Sequence, residues 1–267
     1  MDAQLVVICV LTFIIHLVGT LAYSVRIAGV RTRRIAVSFA LFNILVLVSR
    51  TSNSFQGPFL AKRIEGTIAQ PGIHDLLADF RWVLASAAFA TLVGAFLIPT
   101  FQRIFSKAVN DFQAQRSVPR LLLHGFLKGG VTQIRDSASL PVSGNLTGLK
   151  VSAGMSWLTI MLNIVASALW TVGVFAALYA GFLNPEFRVT ASTLSAIING
   201  IATILMFVFI DPHLSIMTDD VMDGRLSEPN FRKAIVWMVG SRFAGAVLSQ
   251  FILIPSATLI VCVAKMV

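Results

Sequence analysis

One arginine, Arg242, lies inside a long apolar segment near the C-terminus, between Gly240-Ser241 and Ala244-Gly245. Placing an arginine in the hydrocarbon core of a bilayer costs at least about 2.5–3.5 kcal/mol, so such a residue usually faces a cavity or a partner. A planar guanidinium binds a phosphate group through two parallel hydrogen bonds. Arg242 is therefore expected to contact the phosphate of a lipid substrate. The alternative is that its side chain snorkels to the cytoplasmic interface.

A second cationic and hydroxyl-rich segment, Arg50-Thr51-Ser52-Asn53-Ser54, follows the second apolar segment. Ser49 and Asn53 are four residues apart and share a helix face. This spacing favours a polar groove in which Arg50 and Asn53 receive a headgroup near the outer end of the helix. The alternative is a helix that only reaches the interface.

Arg81 is the third arginine expected to mark a substrate path. It follows Asp75 and Asp79, so an ion pair at the start of the third predicted helix is the alternative role. Lys62 and Arg63 are expected to anchor an interfacial segment.

Polar residues recur along the fourth apolar segment at offsets that place them on one helix face. Asn163 is the member expected to contact substrate in a cavity, and hydrogen bonding between helices is the alternative. The stripe consists of Ser152, Ser156, Asn163, Ser167 and Thr171.

Motifs for catalysis, metals and cofactors are missing from the sequence. There is no GxxxxGK[ST], HExxH or GxSxG motif, and the two cysteines and four histidines are scattered, which predicts no metal site and no cofactor. Paired carboxylates within the apolar segments, which are typical of many cation-coupled pumps, are also missing. The chain is therefore not expected to be an enzyme.

The composition requires lipid as the solvent. The chain has 267 residues, of which 56% are hydrophobic and 12% charged, whereas soluble domains are about 25% charged. The net charge of +9 would suggest nucleic acid for a soluble protein. Here basic loops that set membrane topology and meet anionic lipid headgroups explain the charge, so no nucleic-acid partner is expected.

The apolar segments predict an all-α, polytopic bundle in a single domain spanning residues 1–267, since about 20 apolar residues cross a bilayer. Gly57-Pro58 is expected to end the second helix before an interfacial segment, and Asp211-Pro212 to end the fifth. Residues 102–150 are expected to form a cytoplasmic region with interfacial amphipathic helices. The predicted spans are 5–25, 35–56, 82–101 with an amphipathic extension to 112, 151–183, 190–210 and 234–264.

The distribution of basic residues predicts the orientation. Fourteen of the 21 Lys and Arg residues fall on the side of the first loop, six on the other side, and Arg242 lies within a span. Because cytoplasmic loops carry an excess of Lys and Arg, the first loop is expected to be cytoplasmic and both termini to lie outside.

The stretch from Val25 to Glu65, VRIAGVRTRRIAVSFALFNILVLVSRTSNSFQGPFLAKRIE, resembles the Amj family of alternate lipid II flippases in bacteria. The similarity covers nearly the whole chain, with six helices, an Arg-rich first loop and an Arg-Thr-Ser-Asn turn. The resemblance implies a multi-pass protein of the cytoplasmic membrane that moves undecaprenyl-linked peptidoglycan precursor from the inner to the outer leaflet. The resemblance assigns no role to individual residues, so the site residues named above are predicted from the residue types and their spacing alone.

The expected function is thus lipid II translocation, with lipid II and membrane lipids as partners. The alternatives are a membrane enzyme acting on a polyprenyl phosphate and a non-catalytic scaffold of the cell-wall machinery. Six helices form a small bundle for so large a headgroup, which favours a homo-oligomer.

Overall fold

The computed structural model describes residues 2–115, 135–139 and 155–266. The described part contains no strand, and the predicted all-α membrane bundle is confirmed. Six helices in it are long and apolar enough to cross a membrane. They are α1 (Ala3–Thr32), α2 (Ile35–Ala69), α3 (Leu76–Gln115), α4 (Trp157–Leu183), α5 (Pro185–Met222) and α6 (Glu228–Ala264).

Helix α1 lies between α2 and α3 and is fixed to both by side-chain hydrogen bonds. The Ser38 hydroxyl of α2 donates to the Val25 carbonyl oxygen over 3.0 Å, and the Gln56 amide donates to the Thr12 hydroxyl. On α3, the Ser86 hydroxyl donates to the Cys9 carbonyl oxygen over 2.7 Å. These bonds set the antiparallel register of α1 against each neighbour.

Helix α2 continues through Gly57-Pro58 to Ala69, so the predicted end at residue 56 and the separate interfacial segment are wrong. A proline removes one backbone donor, a loss that transmembrane helices tolerate. The residues that follow are held by burial, because Leu60 and Ile64 lie in a core cluster with side chains of α1 and α3. Tertiary contacts therefore maintain the helix where the local sequence favours a break.

Helix α5 likewise does not end at Asp211-Pro212. A wide π-type turn over Leu205–Ile210 precedes the last segment, Asp211–Met222. Pro212 stands in the first turn of that segment, where a backbone N–H makes no hydrogen bond within the helix and proline is therefore tolerated. Of the predicted 102–150 region, the helical extension of α3 is present, and residues 116–134 and 140–154 lie outside the described residues.

The core has a cluster of buried side chains at each end of the bundle. One joins the start of α1 and α3 to the ends of α2, α4 and α6, and includes Leu5, Phe80 and Leu253. The other joins the end of α1 to the last segment of α5 and the start of α6, and includes Ile27, Leu214 and Phe231. A third cluster lies between α1, α2 and α3 and includes Val18, Val25 and Phe42.

Helices α4 and α6 approach closely at Gly245. A Cβ at this position would lie 2.5 Å from the Ile164 carbonyl oxygen and 3.0 Å from the Ala168 backbone nitrogen. Small residues commonly allow such approach in membrane bundles. Gly240, five residues earlier on α6, has open space around its Cβ position.

Replacing Gly245 with alanine is therefore expected to cost about 1–3 kcal/mol of stability, because the added methyl group meets backbone atoms that cannot yield without moving α4. Thermal unfolding of the purified protein in detergent measures this. The matched variant Gly240→Ala should unfold at the wild-type temperature or slightly above it, since alanine favours a helix. Equal melting temperatures for the two variants would contradict the close α4–α6 approach.

Candidate functional site

Arg242 extends from α6 to α1 at the middle of the bundle. Its Nη2 atom packs against Gly19, where a Cβ would lie only 2.6 Å from it. Gly19 is near the midpoint of α1 (Ala3–Thr32). Because α6 begins at Glu228 and not at 234, Arg242 lies fourteen residues along it, or about 21 Å at 1.5 Å per residue. The hydrocarbon core is about 30 Å thick, so Arg242 is well inside it.

The Arg242 guanidinium has no protein partner in the part of the chain that the structure describes. Its Nε atom is buried without a hydrogen-bond acceptor, and no carboxylate lies within 4.0 Å of the side chain among the described ion pairs. It interacts electrostatically with two buried residues of α1, His16 and Tyr23. An unpaired cation in a medium of low polarity attracts an anion strongly.

Asn163 lies beside this arginine and connects three helices. Its amide donates to the Met238 carbonyl oxygen over 2.9 Å and to the Ser241 hydroxyl over 2.7 Å. Tyr23 shares a side-chain hydrogen bond with Asn163. The structure thus brings Asn163 and Arg242 together, and it shows for Asn163 the hydrogen bonding between helices that the sequence offered as its alternative role.

Arg50 and Asn53 are exposed on the outer face of α2. Because α2 extends to Ala69, Arg50 lies near the middle of this helix and not at its outer end. The contacts of Ser38 and Gln56 with α1 lie on either side of it, which puts Arg50 at mid-height in the bundle. Both residues stand apart from the contact between Arg242 and Gly19.

Arg81 is exposed near the start of α3, and its carbonyl oxygen accepts a hydrogen bond of 2.9 Å from the Gln250 amide. The alternative of a local ion pair is wrong for Asp79. That carboxylate accepts a 2.7 Å hydrogen bond from Nε of Arg63 on α2.

Arg63 is the charged residue that the sequence reasoning misplaced. It is 4% exposed and not an interfacial anchor. Besides Asp79, it binds the Asp2 carboxylate, with Nη1 at 2.8 Å from Oδ2. The Leu5 N–H and Arg63 together hold the pKa of the Asp2 carboxyl below its usual range. The spacing of residues along α2 could have indicated that Arg63 is buried. Residues three or four apart share a helix face, and the buried face here consists of Ser52, Gln56, Leu60, Arg63 and Thr67.

Gly19 offers a way to move the Arg242 guanidinium without changing its charge. In Gly19→Ala the methyl group would displace Nη2, and loss of one charged hydrogen bond to a substrate, worth about 1.5–3 kcal/mol, corresponds to transport slowed by roughly 10- to 150-fold. Transport in reconstituted vesicles and thermal unfolding are measured together. The unfolding temperature should change little, because the methyl group meets only the end of the flexible Arg242 side chain, which can move aside. Gly57→Ala, which meets no atom within 4 Å, is the control, and equal transport by both variants would count against the site.

The fold and this site define a polytopic helical membrane protein with a cation at mid-depth that has no ion-pair partner among the described residues, as suits the passage of an anionic group. The family model described as Amj, alternate to MurJ, matches residues 11–264. The chain belongs to this family. It is 35% identical over 263 residues to the protein named lipid II flippase Amj of Bacillus subtilis (strain 168), covering 98% of this chain and 97% of that relative. No solved structure matches the chain significantly.

Proposed function

We propose that this protein is a lipid II flippase, which moves the undecaprenyl-linked peptidoglycan precursor from the inner to the outer leaflet of the bacterial cytoplasmic membrane. Membership of the Amj family and the name of its Bacillus subtilis relative support this substrate. The structural observation that carries the proposal is the Arg242 guanidinium, which is held against Gly19 at mid-depth and has no ion-pair partner in the described part of the chain.

The barrier to translocation lies in the headgroup, because removing an ionised group from water is far more costly than moving an apolar tail within the bilayer. The Arg242 guanidinium offsets part of this cost by binding pyrophosphate through charge-assisted hydrogen bonds. Tyr23 and Asn163 provide polar groups beside it. The polyprenyl tail stays in lipid, and no covalent step is required of the protein.

Arg50, Asn53 and Arg81 are proposed to contact the headgroup away from Arg242. An arginine exposed to hydrocarbon at the height of Arg50 is costly, so a polar group or a second copy of the chain would cover this face of α2. We therefore propose a homo-oligomer whose path runs beside α2. Disulfide crosslinking after Asn53→Cys in a variant lacking Cys9 and Cys262 tests this arrangement, and monomers alone would contradict it.

The proposed orientation places both termini outside and the Arg31–Arg34 turn in the cytoplasm, as the excess of basic residues on that side favours. Modification of single introduced cysteines by an impermeant reagent in intact cells measures it. Labelling at the α1–α2 turn but not at the C-terminus would contradict the orientation.

Vesicles containing the purified protein and labelled lipid II test the function directly. Movement of chemically unchanged lipid between leaflets, above the rate in protein-free vesicles, is the expected result. A chemically altered lipid would indicate an enzyme acting on polyprenyl phosphates, and neither movement nor alteration would indicate a scaffold.

A further inference from the structure

A basic pocket opens where α1 ends and α3 continues past it. The cavity measures about 510 Å³, and its lining includes Arg31, Arg103 and Lys107. A short segment, residues 135–139, forms another wall. This segment is held on α3, since the Thr100 hydroxyl donates to the Ser139 carbonyl oxygen over 3.2 Å and accepts from the Ser139 N–H over 3.1 Å.

The charges of this pocket are only partly compensated. Arg103 and Lys107 are exposed and form no ion pair within the described ranges, and Asp136 is the carboxylate among the lining residues. Arg31 binds Glu228 through Nε over 2.8 Å. With Glu228 counted, two carboxylates oppose three cations, so the cavity keeps a net positive charge.

Ser137 is a second, independent indication of a ligand. The residue is one of those that line the cavity and is 1% exposed, and its buried Oγ atom has no hydrogen-bond partner among the residues described. Buried hydroxyl groups nearly always have a partner, and leaving one unsatisfied is costly. A donor without an acceptor beside three cations fits an anionic, oxygen-rich ligand.

We infer that this pocket binds the pyrophosphate of the transported lipid before the headgroup enters the bundle. The inference rests on the proposed function for the identity of the lipid. Lysine and arginine provide the point charges and paired donors that phosphate groups prefer. The cavity lies at the bundle end where the basic first turn is located, so a headgroup of the same leaflet reaches it without crossing the membrane.

The position of the pocket relative to Arg242 supports a sequence of two cationic sites. Gly19, which touches Arg242, and Arg31 are twelve residues apart on α1, or about 18 Å along the axis. Arg26 lies between them, seven residues from Gly19 and so on nearly the same face. It is held by Asp211 over 3.1 Å. Arg31 is turned about 120° around α1 from Gly19, so the pocket and Arg242 are separated in depth and lie on different faces of this helix.

Binding of lipid II to the full-length protein in nanodiscs of neutral phosphatidylcholine tests the inference. The double variant Arg103→Gln/Lys107→Gln is expected to bind lipid II at least tenfold more weakly, and Ser137→Ala several-fold more weakly. Arg33→Gln/Arg34→Gln is the matched control, because it removes the same charge from the same end of the bundle but changes no residue of the pocket. Equal losses of lipid II affinity in both double variants would overturn the inference, because they would show that the net charge of this surface, and not the pocket, attracts the lipid.

Two further measurements identify the ligand and separate this inference from the proposed function. Inorganic pyrophosphate added to the buffer should compete with lipid II for the pocket, whereas phosphatidylglycerol added to the nanodiscs should displace lipid II only weakly; full displacement by phosphatidylglycerol would reassign the pocket to anionic phospholipid. Transport at saturating lipid II should be near normal in Arg103→Gln/Lys107→Gln, with a raised half-saturation concentration. Normal transport and normal binding in that variant would overturn the pocket alone, whereas a wild-type protein that binds but does not transport would overturn the flippase.

Discussion

Replacing Arg242 with alanine is expected to slow lipid II translocation by at least about 100-fold, because two charge-assisted hydrogen bonds, worth about 1.5–3 kcal/mol each, are lost at mid-depth in the bundle. A change of about 2.7 kcal/mol in the barrier corresponds to a factor of 100. Translocation of labelled lipid II in reconstituted vesicles measures the effect. Growth of cells depleted of their main flippase reports it in vivo.

The same substitution should leave the fold intact or more stable. Arg242 has no carboxylate partner in the described structure, so its removal relieves the cost of a buried charge and breaks no ion pair. This separates a transport role from a structural one, which would lower the unfolding temperature. Arg242→Lys keeps the charge but loses the paired donors, and about one tenth of the wild-type rate is expected.

Lys233→Ala provides the matched control for Arg242→Ala, since it removes one cation from the same helix nearer its start. It should transport at the wild-type rate. Normal transport by Arg242→Ala at wild-type abundance would refute the site, whatever the control shows.

Replacing Arg63 with leucine is expected to destabilise the protein by about 3–5 kcal/mol, the usual cost of breaking a buried ion pair by removing one partner. The Asp79 side chain is 13% exposed and would keep its charge without a counterion. Asp2, at 43% exposure, remains accessible to water and contributes less. Thermal unfolding in detergent, followed by size-exclusion chromatography, measures the loss.

Two variants make this stability prediction specific to the ion pair. Lys62→Leu removes the neighbouring cation, which is exposed, and should change stability little. Arg63→Leu/Asp79→Leu removes both charges and should recover most of the lost stability, because apolar residues commonly replace a buried ion pair without cost. If the double variant is no more stable than Arg63→Leu, the loss of side-chain volume at position 63 and not the unpaired carboxylate is responsible.

The family could be predicted from the sequence, because a long matched segment is more specific than a single motif. The match of residues 11–264 to the Amj family model confirms that prediction. The site was only partly accessible from sequence. Arg242 stood out as a charge in an apolar segment, whereas Arg63 did not, since it follows Gly57-Pro58 and a second cation, Lys62. Its partners Asp2 and Asp79 lie in other helices, and no local spacing joins them to it.

The sequence by itself determined that this chain forms six membrane-spanning helices, because in lipid each apolar segment must satisfy its backbone polar groups internally. Only the tertiary structure decided how far those helices extend and what their polar residues contact. Burial of Leu60 and Ile64 carries α2 past Gly57-Pro58 and so moves Arg50 to mid-height. Arg242 acquires its position from Gly19, more than two hundred residues away in the chain, because a long side chain on one helix is placed by the space that its neighbour leaves.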